Sequence, residues 1–452
     1  MHKNKTFETI KSHARRFGIF ANIETIGCYD DFSQIVMLDY LDRKSLLQIQ
    51  KNFQSQDGEN SEHQKNALQT NFQEISKFYS TCVHELTHWL DHTSTLWGQR
   101  QLILIYNAIH SWTNQKENDF HRIATAYSER GRARLGDYYT ENYSTEPKKS
   151  TEEWRYQYSS GVEFGFDGKP REDRPFICTI FLNSSNQRII RVPFSMFSLT
   201  EANATYSELK VKSQIIASLN DDVETNIFRQ EVYQNLYNPE LAIYSVATHC
   251  LANTVGIKDT LVAYEFSSTL AIFCLNLPRN LFSCLIDPHI FSPWGDRVKA
   301  LKEIADPGFA FFTITQQAPK YRDDVSVQKW LQEAIKNSGL PSLEIINDLV
   351  LNQMEELRNE IIDGVFLDDL MFLLNIGMEN FIHRGIWGQN VLSLETLEQN
   401  SIFLPPIVLA DESIISIFPN TVTTHPSDIK KRMENLLAIE LRMDKFIRAC
   451  RL

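Results

Sequence analysis

The stretch that decides how this chain reads is "CVHELTHWLDH", Cys82 to His92, which sets three of the twelve histidines within nine positions. Around it, Phe72, Ile75, Tyr79, Cys82, Leu86 and Leu90 recur at steps of three and four residues. That spacing predicts an amphipathic helix over roughly 66–112, closed or bent at Trp97-Gly98. On a wheel centred on Leu86, His84 and His88 fall about 160° to either side, opposite the apolar stripe, so both imidazoles are expected to face a cleft.

His84-Glu85-Leu86-Thr87-His88 is an H-E-x-x-H pentamer. Residues four apart on a helix share a face, so two imidazoles can meet one ion, and Glu85, about 100° around from His84, can reach a water there. With this histidine content such a pentamer arises by chance in a chain of this length with a probability of about 0.02. His92 continues the series, but positions i, i+4 and i+8 spread over about 12 Å of helix axis, too far for one tetrahedral ion with bonds of about 2.0 Å. His92 is therefore read as a neighbour of the site. The metzincin extension, which needs a Gly and a His downstream, meets Asp91 and Ser94 instead, so that subclass is excluded.

The pentamer resembles that of the zincin metallopeptidases, the gluzincin type in particular. The resemblance covers His84 to His88 and reaches the rest of the chain only weakly. It implies a zinc ion (Zn2+) held by His84, His88 and a Glu from a downstream helix, with Glu85 as general base. It also implies a peptide substrate lying extended along an edge strand. For the third ligand, Glu201 in "VPFSMFSLTEANATYSEL" is preferred, because Ala202 and Ala204 allow close helix approach. In that place gluzincins commonly carry E-G-x-A, and this chain has E-A-N-A. The competing reading is a capping box, Ser198-Leu199-Thr200-Glu201, in which the Glu only returns a hydrogen bond to the helix start. Glu265, inside the apolar "LVAYEFSSTLAIFCLNLP", is the runner-up, either as a ligand or as a buried carboxylate paired with Arg or Lys. Glu129, Glu141, Glu146, Glu152 and Glu153 lie in or near a polar region and rank low. Tyr206, His249 and Tyr264 are the candidates to steady an oxyanion, or else ordinary packed residues.

At 452 residues, one large domain with an appended module, or two domains, is the expectation. The reading is a predominantly helical α+β chain: a zincin-like domain over 1–290 with a small antiparallel or mixed sheet, then a helical C-terminal region over 291–452. Residues 17–40 read as two strands separated by "CYDDFS". Residues 137–175 read as a polar loop insertion, a solvated loop or a lid. "FICTIFLN" and "RIIRVPF" read as a hairpin over 176–194, and three or four helices follow from Leu199 to Arg279.

A net charge of −12 and no extended basic stretch argue against nucleic acid. No apolar run is long enough for a membrane span, and the basic N-terminal residues are not followed by a cleavable apolar core. A cytoplasmic location with no membrane partner is expected. The seven cysteines are scattered and form no C-x-x-C pair, so a metal here needs His and carboxylate donors. The function expected is a zinc-dependent metallopeptidase acting on a restricted intracellular protein or peptide target. The alternative is a non-catalytic binding or regulatory protein on a zincin-like scaffold, or an interaction protein without metal.

Overall fold

Two short sheets and fifteen α-helices make up the described parts of this computed structural model, which are residues 27–54, 61–135, 139–143, 153–165, 168–399, 401–418, 420–422 and 426–450. The α+β, predominantly helical class is therefore observed. The helices are α1 (Arg43–Gln54), α2 (Ser61–Ser94), α3 (Leu96–Thr113), α4 (His121–Arg134), α5 (Met196–Leu219), α6 (Asp222–Leu236), α7 (Ala242–Val255), α8 (Thr260–Leu275), α9 (Asp296–Ile304), α10 (Pro307–Gln317), α11 (Val327–Asn337), α12 (Leu343–Leu357), α13 (Leu367–Arg384), α14 (Leu394–Glu398) and α15 (Pro426–Ala449). Among the described residues no helix is long and apolar enough to cross a membrane.

The chain packs as two units, and neither is a continuous segment. The first comprises 1–90, 204–230 and 390–443; the second comprises 91–203, 231–389 and 444–452. The boundary expected near 290 falls inside the second unit. Helices α2, α5, α6 and α15 run unbroken through the division, so each belongs in part to both units.

The first unit holds a mixed sheet of order β1-β2-β7-β8, with β1 (Gly27–Asp30), β2 (Ile35–Leu38), β7 (Ile407–Leu409) and β8 (Ile414–Ile415). β1 and β2 are antiparallel, and β7 joins β2 in parallel. The first strand thus begins where a polar break was expected: "GCYD" is strand, and the turn is 31–34. There Gln34 takes φ of 61° and Asp30 accepts from the Ser33 backbone at 2.9 Å. Strand pairing overrides the weak propensity of this short polar run. Residues 17–26, the rest of the first expected strand, lie outside the described residues. Ile35, Met37 and Val408 project from one sheet face onto Met433 and Leu437 of α15. The C-terminal region, expected to be mostly helical, also returns two strands to the N-terminal sheet.

The second unit holds an antiparallel sheet of order β3-β6-β5-β4, with β3 (Glu141–Asn142), β4 (Arg155–Phe164), β5 (Pro170–Leu182) and β6 (Arg188–Phe194). The expected hairpin is present as β5 and β6, paired from Ile177–Phe194 to Leu182–Arg188. The expected loop over 137–175 is corrected, because its described part supplies β3, β4 and the start of β5. β4 is only half-buried, so it lacks the apolar alternation that marks a strand in sequence, and its ten residues are held by pairing with β5. Four helices, α5 to α8, follow the sheet before Arg279 as expected.

Candidate metal centre

α2 carries the H-E-x-x-H residues, and its apolar stripe packs inward as its period requires: Ile75, Cys82, Leu86 and Leu90 are fully buried. Phe78, Val83, Thr87, His88 and Trp89 are buried as well. The expectation of a cleft on the opposite face is thus corrected. The helix is enclosed on nearly all sides over Thr81–Leu90, and His84, its side chain 15% exposed, is the half-buried residue there. Large residues on the flanks of the stripe widen the packed surface beyond the stripe itself.

The helical break expected at Trp97-Gly98 lies two residues earlier. Thr95 caps α3 by accepting from the Gly98 backbone, and its hydroxyl donates to the Asp91 carbonyl at 2.5 Å. Gly98 is needed because a Cβ there would stand 2.2 Å from that carbonyl. His92 leans on Trp97 at this corner, with ring centroids 5.1 Å apart, and is not among the gathered donors.

Among the described residues one group of donors is brought together: His84, His88 and Glu201, with one ligand atom from each lying within 4.8 Å of the others. The two imidazoles, one helical turn apart, stand edge to face with centroids 5.0 Å apart. Glu201 is 3% exposed, and the residues after it, Ala202 and Ala204, are fully buried, as close helix packing demands. The capping reading of Glu201 does not hold. α5 begins at Met196, and its cap is the reciprocal pair Ser195 and Ser198, each backbone N–H meeting the other's hydroxyl at 3.4 and 3.3 Å. Glu201 therefore sits within the helix, past its first turn. Glu265 is half-buried on α8 near Tyr321 and is not in the donor group.

The sequence reading missed Glu208. His84 Nδ1 lies 3.1 Å from Glu208 Oε2, and Lys212 Nζ donates to Glu208 Oε1 at 2.6 Å. With Nδ1 donating to a carboxylate, Nε2 is the nitrogen left for a metal, and the ring is fixed in orientation. Burial alone pushes the Glu208 carboxyl up, but the Lys212 ammonium and the His84 imidazole outweigh it and hold it down at about 2. Glu208 is seven residues beyond Glu201, about 20° from it around α5, so a search for carboxylates sharing its face would have found it.

His88 stacks near Tyr29 of β1, with ring centroids 6.4 Å apart. Glu85 lies against the start of the same strand: a Cβ on Gly27 would stand 2.8 Å from its Cγ and 2.9 Å from its Oε1. Gly27 thus makes room for the carboxylate of Glu85. Among the described residues β1 is the edge strand of its sheet, so the backbone beside Glu85 is an edge.

Of the oxyanion candidates, His249 is a core histidine. It lies among Trp154, Phe181 and Tyr237, with Nε2 2.7 Å from the Leu236 carbonyl, and burial pulls its pKa down to about 4. Tyr264 is buried on α8, and Tyr206 is half-buried on α5.

The donor set suits a borderline-soft divalent ion. Ligand atoms on a tetrahedral ion with bonds of about 2.1 Å stand roughly 3.4 Å apart. The three donor atoms, within 4.8 Å of one another, stand near that spacing, so the group could hold a metal ion. Compared with protein-family models, with curated proteins and with solved structures, the chain matches none.

Proposed function

We propose that this chain is a zinc-dependent metallopeptidase of the zincin type, acting on a protein or peptide target inside the cell. The observation that carries the reading is the meeting of Glu201 with His84 and His88, which joins two helices far apart in sequence through three donors of the kind zinc takes. Three protein ligands are the number found at catalytic zinc sites, which keep one position open.

When bound, zinc supplies a Lewis acid that polarises a carbonyl and lowers the pKa of a water to about 7. His84, His88 and Glu201 hold it, and Glu208, backed by Lys212, fixes the His84 ring. Glu85 takes the proton from the attacking water and returns it to the leaving amine, a role worth about 10²–10⁴ in rate. Among the described residues β1 is an edge strand, and a peptide added to it would pair beside Gly27, over whose face the Glu85 carboxylate lies. Seven free cysteines, four of them buried, are in keeping with a reducing, cytoplasmic setting.

A second reading, a non-catalytic protein in which the metal is structural, is favoured by the burial of Glu85, His88 and Glu201. Glu85→Gln decides between them. Under the peptidase reading the variant keeps its zinc and loses hydrolysis of a peptide library by about 10²-fold or more. Unchanged hydrolysis, or none in either protein despite full zinc, favours the structural role.

A further inference from the structure

α2 continues for nearly three turns beyond His84 before it ends at Ser94, and its last turn carries a second buried polar cluster. Asp91, three residues after His88, is wholly buried. Its Oδ1 accepts from Arg384 Nη2 at 3.0 Å, and its Oδ2 accepts from Asn203 Nδ2 at 3.0 Å. Arg384 Nη1 also donates to the Ser94 hydroxyl at 2.9 Å. Asn203 is two residues after Glu201 on α5, and Arg384 is the last residue of α13.

α13 is seated on this turn at a second point. A Cβ on Gly377 would stand 2.0 Å from the Thr93 carbonyl, so only glycine allows the approach. Gly377 and Arg384 are seven residues apart and share one face of α13. The helix therefore meets the end of α2 with a backbone contact and a guanidinium, two turns apart.

We infer that Arg384 and Asn203 are positioning residues for the metal centre, and this inference rests on the metal-site reading above. Asp91 is the shared anchor: its carboxylate is held in place by Arg384 and in turn grips Asn203. The turn of α5 that carries Glu201 is thereby fixed in height and rotation against the turn of α2 that follows His88. A side-chain amide and a guanidinium each fill one carboxylate oxygen, so the anchor has one geometry. Partners bonded directly to a ligand govern affinity by about 10–100-fold; Asn203 and Arg384 act one step further out, through the helix turns they hold, so a smaller loss is expected.

The test measures zinc affinity by chelator competition alongside the thermal midpoint of the metal-free protein. Asn203→Leu removes the cross-helix hydrogen bond at similar volume and leaves Arg384 on Asp91. It is expected to weaken zinc binding several-fold and to lower the metal-free midpoint less than Arg384→Met does, because Asp91 Oδ2 loses a buried partner while the ion pair stays. Arg384→Met leaves the Asp91 charge buried and lowers the metal-free midpoint. Adding Asp91→Asn to it removes that charge and restores the midpoint, while zinc affinity stays below wild type because the guanidinium that fixed this side chain is gone, although its amide oxygen still accepts from Asn203. Arg384→Lys, which keeps the charge, recovers part of the affinity. An Asn203→Leu protein that binds zinc within about twofold of wild type overturns the inference. So does an Asp91→Asn, Arg384→Met protein whose affinity returns together with its midpoint. If wild type binds no zinc at all, the metal-site reading falls first and takes this inference with it. If wild type binds zinc, His88→Ala loses it and Asn203→Leu does not, the positioning role alone fails.

Discussion

His84 and His88 on α2 and His249 on α7 are both parts of well-packed helices, yet their surroundings differ in kind. His249 sits in an aromatic cage of Trp154, Phe181 and Tyr237, and Nε2 donates to a backbone carbonyl. The α2 pair sits beside carboxylates, Glu201 within ligand reach and Glu208 on His84 Nδ1. A histidine among rings and a carbonyl is held neutral and fills space. One with a carboxylate orienting its far nitrogen presents the other nitrogen as a ligand. Burial alone does not separate the two roles; the company of carboxylates does.

The sharpest way to break this contrast is to exchange the losses. His88→Ala is expected to abolish zinc binding, and with it the stabilisation that excess zinc gives, about 2.7 kcal/mol at a hundredfold excess over Kd. His249→Phe is expected to leave zinc content unchanged. Calorimetry with and without added zinc checks both.

An acid effect of similar size is expected at His249. The unfolded chain takes up a proton there below about pH 6.5, the folded chain only near pH 4, because burial lowers the folded pKa. Its contribution is complete above pH 6.5 and is lost as pH falls toward 4, by about 3 kcal/mol in all. His249→Phe is expected to flatten that part of the stability profile, at a cost of about 1 kcal/mol at neutral pH from the lost hydrogen bond. Denaturant titrations from pH 7 to 4 measure it; an unchanged slope would place the titration elsewhere.

Glu208→Ala probes the carboxylate directly and is expected to weaken zinc binding by about 10–100-fold without removing a ligand. Gly27→Val should have a smaller effect. The new side chain displaces the Glu85 carboxylate, lowering the hydrolytic rate by about tenfold while zinc stays bound, since small displacements of a reacting group are costly. Steady-state kinetics with metal analysis separates the two variants: the first changes affinity, the second changes turnover.

Much of the fold was legible where local period rules. The 3.6-residue pattern through Leu86 gave α2, and the apolar runs on either side of the 183–187 turn gave β5 and β6. β4 was missed because a half-buried strand carries little apolar alternation. The return of β7 to β2 was missed because nothing local in "IVL" names a partner some 370 residues earlier. At the site, His84, Glu85 and His88 stood out by spacing, and Glu201 was named together with a capping alternative that only the position of the helix start removes. Glu208 was legible in principle from its shared face with Glu201. The Arg384 anchor was not, since it joins three helices through one buried carboxylate.

Zinc content is the direct measure of the central claim. Wild type purified from zinc-supplemented medium should carry about one equivalent, as should Glu265→Ala, while His88→Ala and Glu201→Ala should carry close to none. A Glu201→Ala protein with full zinc, or a wild type with none, would contradict the account.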